Sequence, residues 1–211
     1  MSSSGARPQH GQARAALLEA AVDTIRARGL HATTVDELCA AAGVTKGAFF
    51  HHFASKEALA VAAADHWSQT TGALFAAAPY HDHRDPADRV LAYLDFRASL
   101  IAGTPAEFTC LVGTMTQEAF DTSPAVRDAC AASIFGHAET LEADLAAALA
   151  GCEPVDGVTA ASLARHTQTV LQGAFVLAKA ADDPALVIEA VGHLRRYLEC
   201  LFGRGSTETA R

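Results

Sequence analysis

Charge, aromatic residues and paired cysteines are all scarce in this chain, and each scarcity removes a class of function. Only 19% of the 211 residues are charged and 7% aromatic, against 50% hydrophobic. The 16 basic residues are outnumbered by 24 acidic ones, giving a net charge of -8. That balance excludes a generic cationic coat for nucleic acid. No apolar run approaches the ~18 residues of a membrane-spanning helix, so no membrane association is expected. The opening MSSSGARPQHG has no apolar stretch of the kind a secretory signal needs. The five cysteines (Cys39, Cys110, Cys130, Cys152, Cys200) include no CxxC pair. Reduced thiols in a cytoplasm are therefore the expectation. The phosphate-loop pattern, HExxH and GxSxG are all missing, as is the ExxH of a di-iron helical bundle. No catalytic residue, cofactor or metal is expected. The His81-Asp82-His83 triplet lies in a polar stretch without a nearby second ligand pair, which favours plain solvation over metal binding.

The most informative segment is residues 33–59, TTVDELCAAAGVTKGAFFHHFASKEAL. Thr34 followed three residues later by Glu37 is a capping-box pattern. Val35, Leu38, Cys39 and Ala42 fall at helical spacing and predict one buried face. Gly43 can end that helix in the left-handed conformation that glycine adopts cheaply. Thr45 can cap a second helix, for which Phe49, Phe50 and Phe53 supply an aromatic anchor. Ser55 can cap a third helix beginning at Lys56. Two short helices around a glycine turn form a helix-turn-helix, whose second helix can enter a DNA major groove.

The rest of the chain reads as helix as well. Alanine is abundant, which favours helix, and no segment alternates as a strand does. Helices are expected at about 12–28, 56–77, 87–101, 106–120, 124–150, 159–180 and 184–202. Polar or glycine- and proline-containing breaks separate them, including a loop over 80–86. The fold class is thus all-α. A helix-turn-helix domain is expected over residues 12–56 and a larger helical domain over 57–202. A disordered arm (1–11) and tail (203–211) flank them. Charge follows the same division: the first 60 residues are nearly balanced and carry four of the ten histidines, and the acidic excess lies beyond them.

Several side chains of residues 33–59 suit DNA contact. Lys46 can reach a phosphate or a guanine edge. Thr45 offers a hydroxyl and a helix N-terminal amide. Gly47 admits close approach of the backbone, and Ala48 can touch a thymine methyl. His51 and His52 can donate to phosphate or base, and Thr33, Thr34 and Lys56 to phosphate. The segment resembles the signature of TetR-family transcriptional regulators through Ala40, Gly43, Val44, Thr45, Gly47, Phe50, His52, Phe53, Ser55, Lys56, Glu57 and Leu59. The resemblance covers roughly residues 12–60. It implies DNA-facing positions at Thr34, Thr45, Lys46, Gly47, Ala48, Phe50, His51 and Lys56. The family usually carries Tyr where this chain has Phe50, which removes one phosphate-touching hydroxyl.

The larger domain is expected to hold an effector pocket, mostly apolar with a few placed polar groups. The candidates are Trp67, Phe96, Arg97, Cys110, Thr114, Met115, Gln117, Phe120, Phe135, His137, Gln168 and Phe175. The resemblance implies that the last two helices pair with a second subunit. Phe175, Val191, Leu194 and Leu198 are the residues whose apolar surface motivates that interface. The function read from the sequence is a ligand-responsive repressor that binds a palindromic double-stranded DNA operator as a homodimer and is released by a small organic effector. Two alternatives remain open. One is a thiol-based sensor of the same fold using Cys110, since some electrophile-sensing relatives look similar around a reactive cysteine. The other is a helical ligand-binding enzyme or carrier with a vestigial DNA-binding head.

Overall fold

The computed structural model describes residues 10–204. The helices are α1 (His10–Arg28), α2 (Val35–Ala41), α3 (Lys46–His52), α4 (Lys56–Ala76), α5 (Pro86–Ser99) and α6 (Pro105–Phe108). They continue as α7 (Leu111–Ala119), α8 (Pro124–Glu139), α9 (Glu142–Leu149), α10 (Ala160–Ala181) and α11 (Ala185–Leu201), with a 3₁₀ turn at Pro79–Asp82. No strand occurs among the described residues. Most of the expected arm and tail lies outside the described residues. Where the expectations do reach them, His10 already lies in α1, and Arg204 is held by Asp85 at 2.7 Å and by Asp88.

The chain divides into two compact units, the first formed by residues up to Thr70 with Thr109–Ser133, the second by Thr71–Phe108 with residues from Ile134 onward. In the first unit α1 packs on α2, α3 and α7. Leu17, Ile25, Leu38, Phe49, Leu59, Leu111 and Met115 are fully buried there. Each such side chain contributes roughly 1.5–3 kcal/mol by leaving water. In the second unit α10 packs on α11 and α9, and α5 on α9 and α11. Tyr93, Leu94, Leu145, Leu171, Val187 and Leu198 fill its core.

Helix starts follow local chemistry. Asp85 caps α5 by accepting from the amides of Ala87 and Asp88 at 2.8 and 3.2 Å, and Pro86 stands where no intrahelical N–H is needed. Thr159 and Ser162 form a capping box at the start of α10.

Two helices expected to be continuous are each broken. The helix expected over 106–120 divides into α6 and α7 at Thr109–Cys110. The Arg26 guanidinium, 83 positions away, takes the Thr109 carbonyl at 2.8 Å, and Cys110 turns extended as the N-cap of α7. The helix expected over 124–150 divides into α8 and α9 at Thr140–Leu141. There the Thr140 hydroxyl donates to the His137 carbonyl at 2.7 Å, competing with the helical amide ladder. The expected polar loop over 80–86 begins instead with the 3₁₀ turn, because Tyr80 buries its ring to 6% exposure. Leu100, the C-cap of α5, is 37% exposed.

Candidate functional site

The turn between α2 and α3 is assembled from its own sequence. The Thr34 hydroxyl accepts from the Glu37 amide at 3.2 Å, and a Glu37 carboxylate oxygen accepts from the Thr34 amide and hydroxyl, both at 2.9 Å. Arg28 pairs with the same carboxylate at 2.5 Å. Those bonds hold the Glu37 carboxyl below its ordinary pKa, the Thr34 backbone amide contributing most. After α2 the chain reverses at Gly43, φ +65°, and the Val44 amide closes onto the Cys39 carbonyl at 2.9 Å. That left-handed step is one a side chain resists. Leu38 and Cys39 take the buried side of α2, while Val35 and Ala42 are half-buried.

Thr45 then caps α3 by accepting from the Ala48 amide at 3.2 Å. Phe49 and Phe53 hold α3 against the core at 0% and 5% exposure. Phe50, expected to share that anchor, is 54% exposed. Inward anchoring by Phe49 leaves the first turn of α3 outward: Thr45, Lys46 and Gly47 are exposed, and Ala48 is half-buried. His51 is exposed and His52 half-buried, their rings in edge contact at 5.1 Å. Lys46 pairs with Asp36 at 2.8 Å, a hydrogen bond that pushes the lysine pKa up. Gly47 has open space on its outer side: an added Cβ would meet only Thr45 Oγ1, at 3.7 Å.

Two expected DNA contacts are corrected. Thr33 is fully buried and donates its hydroxyl to the Gly29 carbonyl at 2.7 Å, so it presents nothing to a phosphate. Lys56 directs its ammonium inward to the carbonyls of Leu30 and Thr33, both at 2.8 Å, and of His31 at 3.4 Å. A three-donor ammonium closing one chain corner is a fastener for the α1–α2 loop. Further ties join this corner to α7 and α8: the His31 amide donates to Glu118 at 2.8 Å, and the Ser123 hydroxyl donates to Glu57. Gly29, at φ +88°, lies so close to the Glu118 carboxylate that a Cβ would come within 1.9 Å of its oxygen.

The twelve expected effector residues divide between the units. In the first, Trp67 lies under the Arg26 guanidinium at 5.1 Å, and Met115 is sealed in the core. Thr114 donates to the Cys110 carbonyl at 3.0 Å, and Gln117 turns back onto the Gly113 carbonyl at 3.1 Å from an exposed position. Phe120 is 59% exposed, and Phe135, in the second unit, 52%. Gln117, Phe120 and Phe135 are therefore corrected from interior to surface. Cys110 is half-buried. The nearby Cys130 thiol is fully buried and pushed up to about 11 by desolvation.

The second unit gathers Phe96, Arg97, His137 and Gln168 around three rings absent from the expected set: Phe75, Tyr80 and Tyr93. Tyr93 Oη and His137 Nε2 are 2.9 Å apart. Phe75 stands 4.6 Å from the His137 ring, 5.6 Å from Tyr93 and 5.5 Å from Phe96. Arg97 lies over the Phe75 ring at 5.1 Å. Burial pushes the Tyr80 phenol up to about 12. Burial, then Arg97, pushes His137 down to about 4, so it is neutral near pH 7. The sequence signal for Tyr93 was its spacing: Tyr93, Phe96 and Arg97 share one face of α5. Phe175 packs instead on Phe108, ring centroids 6.4 Å apart. In the 81–83 triplet, His81 Nε2 sits 3.1 Å from the Phe75 carbonyl.

The four expected interface residues are also corrected. Phe175, Val191, Leu194 and Leu198 are at most 7% exposed and close the unit's own core. The apolar side chains left outward on these helices are Val176 and Leu177 of α10 and Ile188 and Tyr197 of α11, all 41–59% exposed.

Comparison with known proteins places these features in context. Residues 17–63 match a family model described as bacterial regulatory proteins, tetR family, and residues 86–194 match one described as tetracyclin repressor-like, C-terminal domain. Over 44 residues the chain is 50% identical to the HTH-type transcriptional repressor KstR2 of Mycobacterium tuberculosis. That match spans 21% of this chain and 22% of the relative's length. A TetR-family regulator from Agrobacterium tumefaciens superposes with TM-score 0.78 at 21% identity, covering 92% of this chain and 99% of that one. A TetR regulator from Chloroflexus aurantiacus gives TM-score 0.75 at 28% identity, covering 90% and 95%.

Proposed function

The chain belongs to the TetR family of bacterial transcriptional regulators, and we propose that it is a ligand-responsive repressor acting as a homodimer on a palindromic DNA operator. As a member of that family it is a DNA-binding regulator and not an enzyme. The observation that carries the finer reading is the outward first turn of α3. Thr45, Lys46 and Gly47 are exposed there, while Phe49 and Phe53 fix the helix from behind. A cation, a hydroxyl and an uncovered helix N-terminus suit a phosphate and the adjoining base edges. Phe50, Ala48 and His51 extend that face along α3. Repression, as opposed to activation, is supported by the name of the mycobacterial relative, whose similarity is confined to a short segment.

Two outward stripes support the dimer. On α10, His166, Thr169, Gly173, Val176, Leu177 and Ala180 recur at helical spacing and are exposed. On α11, Ile188, Glu189, His193, Arg196, Tyr197 and Cys200 do the same. Two such helices and their copies can form a four-helix contact, of a kind that commonly buries ~2,000 Å² or more. A dimer supplies two α3 helices, hence a palindromic site.

The effector reading rests on the Tyr93–His137–Arg97 cluster of the second unit. A ligand releases DNA only if it binds the non-binding arrangement more tightly, because equal affinity for both states shifts nothing. The unbroken α4 has its first residues in the head unit and its last in the second, which makes it the proposed lever. A cytoplasmic location fits this role. Among the described residues no helix is long and apolar enough to cross a membrane.

Selection from random duplex DNA by the purified full chain tests the reading. A strongly preferred inverted repeat is expected. Enrichment of no sequence over many rounds would overturn it.

A further inference from the structure

Two hydrogen-bond donors of the second unit, Gln168 Nε2 and the Arg97 guanidinium, complete no well-formed hydrogen bond among the described residues, and both border the same aromatic cluster. Gln168 on α10 is 6% exposed, and its side chain reaches toward the Tyr93 hydroxyl, partly offsetting the upward push of burial on that phenol. Its Nε2 completes no well-formed hydrogen bond among the described residues. It is the one buried side-chain nitrogen or oxygen among the described residues in that condition. A buried amide N–H without an acceptor is disfavoured, and buried polar groups in proteins are otherwise satisfied. Arg97 on α5 is the second. Elsewhere in this unit Arg89, Arg195 and Arg204 grip Asp144, Asp95 and Asp85 at 2.6, 3.0 and 2.7 Å. Arg97 is half-buried against Phe75 and has no carboxylate partner among the described residues.

The carboxylates of Asp144, which acts on Tyr80, and of Asp95 on α5 are engaged by Arg89 and Arg195. Tyr93 and Tyr80 are phenols whose ionisation burial opposes, and His137 is neutral. The surroundings are apolar rings: Phe75, Phe96, Tyr80 and Tyr93. A guanidinium and an amide N–H offered beside aromatic walls complement a molecule with an anionic oxygen group, a further oxygen acceptor and an apolar body.

We propose that the effector is a small organic acid, its carboxylate received by Arg97, a second oxygen by Gln168 Nε2, and its apolar body laid on the Phe75–Phe96–Tyr93 rings. The proposal rests on the effector reading above and adds the ligand's chemical class. Val90, Leu91 and Leu94, the other inward side chains of α5, carry no donor or acceptor. With the Tyr93 hydroxyl and His137 Nε2 engaged with each other at 2.9 Å, recognition of the polar end falls to Arg97 and Gln168.

The test uses the full-length protein and two matched sets of probes. One set is 3-phenylpropionate, octanoate and 2-oxo-4-phenylbutanoate; the other is their primary amides. Binding is read by thermal shift and calorimetry, and release by anisotropy of the selected operator. The acids are expected to bind at least tenfold more tightly than the amides and to release DNA. Arg97→Met should erase the preference for acids. Gln168→Leu removes the unmatched donor, so it should fold at least as stably as the wild type and weaken the keto acid more than the plain acids. Equal binding of acids and amides would overturn the proposal. So would a preference that survives Arg97→Met, or an acid set without any binding. The effector reading fails separately. If acids bind as described but leave operator affinity unchanged, the ligand class stands and the regulatory role falls. If a neutral probe alone releases DNA, the reverse holds.

Discussion

Substituting Gly47 with alanine separates stability from function. Gly47 occupies the second position of α3, is exposed, and is not among the residues with positive φ. A methyl group there would meet only Thr45 Oγ1, at an ordinary 3.7 Å. Nothing inside the protein therefore requires glycine. Alanine in a helix is favoured over glycine by about 0.8–1.0 kcal/mol in a helix interior, and by less in the first turn. The expected gain is about 0.5 kcal/mol, which for a chain of this size raises Tm by about 1–2 °C. Operator binding should move the other way. A methyl group would occupy the space through which the backbone amides of α3 approach a phosphate. A loss of about 1.4 kcal/mol or more, tenfold in affinity, is expected. Denaturant unfolding measures the first effect and fluorescence anisotropy with the selected duplex the second. A more stable Gly47→Ala protein with undiminished operator affinity would refute the placement of α3 against DNA. A less stable one would refute the account of the free space.

Other perturbations reach the remaining parts of the mechanism. Lys46→Ala should lower the salt dependence of operator binding by about one unit of slope, whereas Asp36→Asn, which frees Lys46 from its 2.8 Å partner, should tighten binding; titrations at several salt concentrations report both. Leu177→Glu should convert the dimer to monomers in light scattering while the subunit stays folded. Phe175→Ala should instead cost about 3–5 kcal/mol in denaturant unfolding, because that ring is 7% exposed inside the subunit. His137 has its folded pKa pushed from 6.5 to about 4, so the unfolded chain binds the proton more readily. Its contribution to stability is complete above about pH 6.5 and is lost as pH falls toward about 4. Urea midpoints across that window should fall less steeply in His137→Gln than in the wild type. Cys110→Ser should keep operator binding and effector release; selective loss of release by oxidants or electrophiles in this variant would assign Cys110 a sensor role.

The head was legible because its determinants are local. Thr34 with Glu37, Gly43, and Thr45 with Ala48 each act within a few residues, and each forms the bond its spacing suggests. Adjacent threonines mark the limit of that legibility. Thr33 and Thr34 are alike in sequence, yet one hydroxyl is buried against Gly29 and the other caps α2. Lys56 is similar, since its ammonium is claimed by carbonyls 23 to 26 positions away. The break between α6 and α7 depends on a distant partner too, as Arg26 and Thr109 show. On α10 and α11 apolar residues cover more than one face. Periodicity alone could not say that Phe175 and Leu198 point inward while Leu177 and Tyr197 point outward. That choice is made by packing against α5 and α9. In the aromatic cluster of the second unit, Arg97, His137 and Gln168 were recognisable as polar groups on apolar helices. Phe75 and Tyr93 join them only through the packing of α4, α5 and α8 side chains in the second unit.

Methylation interference on the selected duplex reports whether α3 enters the major groove, because guanine N7 lies there. Two symmetric clusters of interfering guanines are expected, centred about 34–36 Å apart or a multiple of that, one for each α3 of the proposed dimer. Tight binding with a single cluster, or with none in the major groove, would contradict the account.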